Sequence, residues 1–269
     1  MREDNLIIVR GAGDIATGTI QKLVRAGYFV LATEVDRPSA IRRQVALSEA
    51  VYEGSFTVED ITAVCVESIA EARKVMNTGQ VAILVDPSCK LLSELQPLAV
   101  VDAILAKKNL GTTREMAPIT VALGPGFEAG AEVDVVIETM RGHDLGRLIF
   151  RGRAKPNTGV PGMIEGMGKE RVIHAPASGI ISDRAAISDI IEKDQIIAEI
   201  DGFPVIATMD GVLRGLIRDG FRVHQGLKIA DIDPRASEKE NCFTISDKAR
   251  CIGGAVLEAV LLLKKLRHL

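Results

Sequence analysis

Leu6-Ile7-Ile8-Val9-Arg10-Gly11-Ala12-Gly13-Asp14-Ile15-Ala16-Thr17-Gly18 is an apolar run that feeds a glycine turn and opens a helix. Ile15, Ile20, Leu23 and Val24 fall at helical spacing, Gly27 stops the helix, and Phe29 to Thr33 reads as a second buried strand. In a strand-turn-helix of this kind Gly11 permits the tight turn, Gly13 lets backbone N–H groups approach a pyrophosphate, and Ala16 keeps the packing close. The helix N-terminus adds the positive end of its dipole. The turn residues Gly11, Ala12, Gly13, Asp14 and Ile15 are therefore expected to bind a nucleotide. An acidic residue about 20 positions beyond such a loop holds a ribose hydroxyl, which selects Glu34 with Asp36 in reserve, while Arg37, Arg42 and Arg43 are placed to receive a 2′-phosphate instead.

Working outward, Ile41–Val51 and Ile69–Met76 read as helices, the second capped by Ser68, and Ile61–Val66, Val81–Val85 and Ala99–Val101 as strands. Such alternation predicts a Rossmann-like parallel sheet with helices on both faces. Asp86 and Asp102 then stand on the carboxyl rim, where such sheets bind ligands. Ile119–Leu123 and Val133–Glu138 add two strands joined by the loop Gly124-Pro125-Gly126-Phe127. A polar cluster follows, Thr139-Met140-Arg141-Gly142-His143-Asp144, and then an irregular Gly/Pro segment from Lys155 to Gly162. In the cluster Arg141 suits a phosphate or carboxylate and His143 a proton shuttle oriented by Glu138 or Asp144, unless the group is a salt-bridge network. His174, His224 and His268 have poorer surroundings for chemistry.

From Ile173 the sequence repeats at an offset of 32: Ala175/Ala207, Gly179/Gly211, Ile197/Ile229, Ala198/Ala230, Ile200/Ile232 and Asp201/Asp233. That self-similarity predicts two copies of one β unit about a pseudo-dyad, and the pattern resembles the biotinyl/lipoyl barrel-sandwich domain. A carrier domain needs a lysine at the central hairpin tip; the tip here is Asp201-Gly202-Phe203-Pro204, so covalent attachment is excluded and a docking module is expected, with Arg214, Arg218 and His224 as exposed candidates. Ser246 and Asp247 open a last helix that carries Gly253 and Gly254, which favour a close backbone contact. The expected fold class is α/β, a Rossmann-like parallel sheet domain followed by a small β barrel-sandwich domain and a C-terminal helix. The expected divisions are a nucleotide-binding domain with its Gly-rich extension over 1–165, the barrel-sandwich over 166–240 and the helix over 241–269.

The 269 residues carry a formal net charge of −3, and aromatics make up 3% with no Trp. No basic field or stacking platform for nucleic acid is present. Four cysteines without a C-x-x-C pair and a polar start at Met1-Arg2-Glu3-Asp4 point to the cytoplasm with reduced thiols. The most apolar stretch, Ala255–Leu263, is too short to span a bilayer and reads as a core or interface helix, which leaves room for a homo-oligomer. No metal-ligand spacing is found.

Gly11-Ala12-Gly13-Asp14-Ile15-Ala16-Thr17-Gly18, Lys107-Lys108-Asn109-Leu110-Gly111-Thr112, Leu123-Gly124-Pro125-Gly126-Phe127, Glu138 through Gly146 and Asp231-Ile232-Asp233-Pro234-Arg235 together resemble the YqeB-type family of selenium-dependent molybdenum hydroxylase accessory proteins. The resemblance covers nearly the whole chain and implies a maturation factor whose partner is a molybdenum hydroxylase apoenzyme. It supplies no reaction and no catalytic residues. The sequence does not name the cofactor; the candidates are a molybdopterin dinucleotide for the accessory reading and NAD(P) for an oxidoreductase. Selenium or sulfur handling would want a reactive thiol in an electropositive setting, and Cys89 is the cysteine so placed. The alternative is an NAD(P)-dependent oxidoreductase with its chemistry at Glu138, Arg141 and His143.

Overall fold

The computed structural model describes residues 5–159 and 165–269; the polar start at 1–4 and the end of the Gly/Pro segment at 160–162 lie outside the described residues. The chain divides into two compact units, one holding the residues up to Pro38 with Ala46–Asn157 and Ile245–Leu269, the other Ser39–Val45 with Thr158–Thr244.

In the first unit the strands are β1 (Leu6–Arg10), β2 (Phe29–Glu34), β3 (Ser55–Val58), β4 (Ile61–Val66), β5 (Val81–Val85), β6 (Ala99–Asp102), β7 (Ile119–Leu123), β8 (Glu128–Ala129), β9 (Val135–Ile137), β10 (Leu148–Ile149) and β11 (Gly152–Arg153). The helices are α1 (Asp14–Arg25), α2 (Ala50–Glu53), α3 (Ile69–Asn77) and α4 (Asp247–Leu266). One nine-stranded sheet runs β10-β9-β7-β6-β1-β2-β5-β4-β3, and β8 pairs with β11 apart from it. Its interior pairs are parallel, while β10 against β9 and β3 against β4 are antiparallel. β1 and β6, buried at every position, lie at its centre; continuous apolar runs are what strands covered on both faces require.

The second unit holds β12 (Val172–His174), β13 (Gly179–Asp183), β14 (Ile190–Ile191), β15 (Ile196–Ile200), β16 (Phe203–Ile206), β17 (Gly211–Leu216), β18 (Arg222–Val223) and β19 (Lys228–Asp233). They form two four-stranded antiparallel sheets, β12-β19-β17-β14 and β16-β15-β13-β18. Shifting β12 to β15 by the repeat offset lands them on β16 to β19, and the same exchange converts one strand order into the other. Ile173, Ile181, Ile197, Leu213 and Ile229 share the apolar core between these strands.

These sheets correct the expected fold class. The large sheet is mixed, not a parallel Rossmann-like one, and the repeat builds a pair of antiparallel sheets, not the expected barrel-sandwich. The expected helix at Ile41–Val51 is broken into 3-10 turns at Arg43–Val45 and Leu47–Glu49 before the four-residue α2. From β6 to β7 the chain returns through a loop with only a 3-10 turn at Arg114–Met116, and from β7 through β9 to β10 by loops, in neither case with an α-helix. Pro118, Gly124, Pro125 and Gly126 occupy those connections, and such residues interrupt helical hydrogen bonding. The α/β alternation therefore covers β1 to β5 only.

Sequence signals at helix starts are realised: Ser68 Oγ accepts from Glu71 N at 3.2 Å and Ser246 Oγ from Ala249 N at 3.2 Å. α4 lies against α1. A Cβ at Gly18 would come within 2.6 Å of the Ala249 carbonyl oxygen, and one at Gly253 would strike the Gly18 carbonyl oxygen, so both glycines are required by close approach. Gly254 faces open space instead. Among the described residues no helix is long and apolar enough to cross a membrane.

Candidate functional site

β1 ends at Arg10 and the chain turns at Gly11, whose φ of +92° puts it in the region that favours glycine. Gly11 N donates to Thr33 O at 2.7 Å, and a Cβ on Gly11 would sit 3.2 Å from the Ala103 carbonyl. The turn is therefore seated in the carboxyl rim between β2 and the end of β6. Ala12 is pinned on both sides, its N–H donating to Glu34 Oε2 at 2.8 Å and its carbonyl accepting from Ser48 N at 2.8 Å. Thr17 donates through Oγ1 to Gly13 O at 2.9 Å and accepts there from Leu47 N at 3.0 Å. Gly13 is different. Its missing Cβ points where no atom lies within 4 Å, and no side chain caps α1, which starts at the next residue, Asp14. The first N–H groups of a helix have no partner within it, so the open side of this turn presents donors.

Glu34 reaches the turn as its spacing predicts, yet its carboxylate is engaged there: Oε1 accepts from Val35 N at 2.9 Å while Oε2 holds Ala12 N. Burial pushes its pKa up, and those two amides pull against the rise. Asp36 and Arg37 are exposed. Arg42 and Arg43 belong to the second unit, where Arg42 donates to Asn241 O and Thr244 O and Arg43 pairs with Asp183 at 3.1 Å.

Beneath the turn lies a network the sequence does not announce. Arg10 is 1% exposed; its Nη1 meets Asp102 at 3.5 Å and donates to Thr112 Oγ1, and its Nη2 donates to Pro87 O at 3.0 Å and Leu110 O at 3.2 Å. Thr112 Oγ1 donates in turn to Asp102 at 2.5 Å. One guanidinium thus fastens β1 to the loops that follow β5 and β6. Burial raises the pKa of Asp102, opposed by Thr112, Arg10 and the Ile104 amide. Asp86 caps the neighbouring turn by accepting from Leu91 N at 2.9 Å. Cys89 stands beside this network in a left-handed backbone conformation and packs with Leu91, Leu95 and Val100. Burial pushes its thiol up to about 11, with Asp86 and Asp102 adding to the rise and Arg10 and Thr33 opposing it. The thiol is protonated at neutral pH, the reverse of the activated thiolate that selenium or sulfur transfer requires.

The cluster around His143 is not a relay. Glu138 is buried and spends both oxygens on backbone amides, Oε1 on Met140 N and Oε2 on Lys155 N, each at 2.8 Å. Arg141 makes a two-pronged pair with Asp247, at 2.8 and 2.9 Å. Asp144 is held by Lys155 at 2.5 Å and Arg147 at 3.2 Å, and Lys155 chiefly keeps its carboxyl below the usual range. His143 itself is exposed, with the Asp144 charge nearby.

Lys248, on the first turn of α4, carries no signal in the sequence that marks it for a site. It is half-buried and, among the described residues, its ammonium makes no hydrogen bond or ion pair. Burial and the neighbouring Arg141 charge lower its pKa, against Asp14, Glu138 and Asp247. Those neighbours set it near the start of α1. His174, His224 and His268 are exposed, His224 with its Nδ1 3.0 Å from Gln225 O, and among the described residues no group of three or more His, Cys, Asp or Glu could hold a metal ion.

Over 258 residues, 96% of its length, the chain is 50% identical to the Uncharacterized protein YqeB of Escherichia coli (strain K12). The chain belongs to the YqeB-type family. This YqeB-type chain spans about half the length, 48%, of that relative. No family model matches it. Among solved structures it overlaps an aspartoacylase family protein of Mesorhizobium loti, with 13% identity, 85% of this chain and 84% of that one covered and a TM-score of 0.25. A succinylglutamate desuccinylase of Silicibacter sp. TM1040 overlaps it with 14% identity, the same coverage and a TM-score of 0.25.

Proposed function

We propose that this chain binds a nucleotide or dinucleotide at the Gly11–Asp14 turn and serves as an accessory, maturation factor for a selenium-dependent molybdenum hydroxylase. The observation that carries the binding half is the open side of Gly13 above an uncapped α1, in a turn otherwise pinned at Gly11, Ala12 and Thr17. A pyrophosphate seated there meets the N–H groups at the start of the helix and the positive end of its dipole. Glu34 stands at the turn through Ala12 N, where its carboxylate suits a ribose hydroxyl, and the half-buried Lys248 ammonium adds positive charge near the same end of α1. The maturation half rests on the motifs shared with the accessory family.

The oxidoreductase reading gains no support, because Glu138 and Arg141 are each engaged away from His143. The test is calorimetric titration with NAD, NADP, FAD and a molybdopterin dinucleotide. The molybdopterin dinucleotide is expected to bind best, and Gly13→Val to abolish that binding while the unfolding midpoint stays put, since a side chain there meets no neighbour. Full binding by Gly13→Val would remove the turn from the site. Preference for a nicotinamide cofactor, followed by turnover, would replace the maturation reading with the oxidoreductase.

A further inference from the structure

α4 buries one face through Ile252, Val256, Ala259, Val260 and Leu263 and turns the opposite face outward. That outer face is not the polar surface a solvated helix shows. Leu261 is 50% exposed and Leu262 36%, and together with Gly254, Leu257, Glu258 and Lys265 they line a shallow depression of about 470 Å³. Glu258 and Lys265 stand two helical turns apart, about 10 Å along the axis, too far to pair with one another. Among the described residues neither side chain makes a hydrogen bond or ion pair.

We propose that this face pairs with the same face of a second copy of the chain, antiparallel about a two-fold axis passing between Leu261 and Leu262. The arithmetic of the stripe selects that arrangement. A two-fold at this point sets Leu261 of each copy against Leu262 of the other, and Glu258 of each against Lys265 of the other, so both charges are matched twice. A parallel two-fold would instead bring Glu258 onto Glu258 and Lys265 onto Lys265. An isologous contact needs a surface complementary to itself, and the leucines flanked by opposite charges meet that condition only when antiparallel. A single helix face is smaller than the roughly 800 Å² per partner of a standard interface, so the dimer is weak, with a dissociation constant on the order of micromolar.

Sedimentation equilibrium on the whole chain, from low micromolar to near-millimolar concentration, reads the association directly. The native chain is expected to dimerise reversibly and Leu261→Arg to stay monomeric. Glu258→Lys, which turns two attractions into two repulsions, is expected to weaken the dimer by about tenfold, and adding Lys265→Glu to that variant to restore it to within about threefold of native. These positions are exposed, and circular dichroism melting of each variant verifies that the fold is retained. A native chain that is monomeric throughout, or a dimer indifferent to Leu261→Arg, would overturn the proposal. A dimer lost in Glu258→Lys and not recovered in the double variant would overturn the antiparallel pairing.

Discussion

Arg10 and Lys155 each meet an aspartate, yet the two pairs sit in opposite worlds. The Arg10 and Asp102 side chains are 1% and 2% exposed, whereas those of Lys155 and Asp144 are 52% and 23% exposed. The first pair is wired into Thr112 and two loop carbonyls and fixes the seat of the Gly11 turn. The second is one link in a belt of surface charges that includes Arg147, with the Arg141–Asp247 pair nearby. A dense polar cluster in the sequence therefore marks solvated ion pairing here, and the residue that organises the rim is a single arginine closing an apolar strand. The Arg43–Asp183 pair, at 20% and 17% exposed, lies between these extremes.

The sharpest way to break this ordering is Arg10→Met. Removing one partner leaves Asp102 buried and uncompensated, and a loss of about 3–5 kcal/mol in urea unfolding is expected; adding Asp102→Leu should return much of it. A loss within about 1 kcal/mol would put the buried network on the level of a surface pair.

Asp183 has the next largest effect, with opposite sign. Burial pushes its carboxyl up to about 6, despite Arg43 and with Asp219 adding to the rise. The folded state thus holds the Asp183 proton more tightly than the unfolded chain, whose carboxyl titrates near 4. Its stabilising contribution is complete below that value and disappears as the pH rises through about 6. Asp183→Asn keeps the neutral form at all pH values. The variant should be more stable than native by on the order of 2–3 kcal/mol at pH 7.5, the gain closing as the pH falls to 4. A gain independent of pH would show that Asp183 does not titrate in this window.

At the exposed end, Lys155→Ala should leave the unfolding midpoint essentially unchanged. A large drop would move the belt into the structural core of the first unit. Smallest of all, His143→Ala is expected to alter neither stability nor nucleotide affinity. If it weakened binding in the calorimeter with the midpoint intact, the comparison would invert and the belt would become part of the ligand site.

Much of the first unit is legible in the sequence because its signals are local. Leu6–Val9 and Val81–Val85 are strands by their unbroken apolar runs, Ile61–Val66 by a nearly apolar one, and Ser68 and Ser246 mark helix starts with their own side chains. The offset repeat from Ile173 also delivers its strands one for one. What escapes is non-local. Nothing near Arg10 in the sequence points to Thr112, and Lys248 gains its meaning only when α4 comes to lie by α1. Sheet direction escapes for a similar reason, since β3 and β10 reverse the edges of the large sheet through short strands whose composition is compatible with either direction. Cys89 has the polar neighbours Ser88 and Lys90 in sequence, whereas its thiol packs among leucines, a setting that only the folded chain provides.

The glycine seam between α1 and α4 has a temporal side. α1 is synthesised before the whole second unit, and α4, which covers Gly18, after it. Contacts of such sequence separation form late, and on the ribosome they cannot form at all until both partners have emerged. The Gly11 turn is thus carried by a helix that waits, bare along one side, while more than half the chain is translated. Closure of the seam over Gly18 is clocked by the arrival of α4.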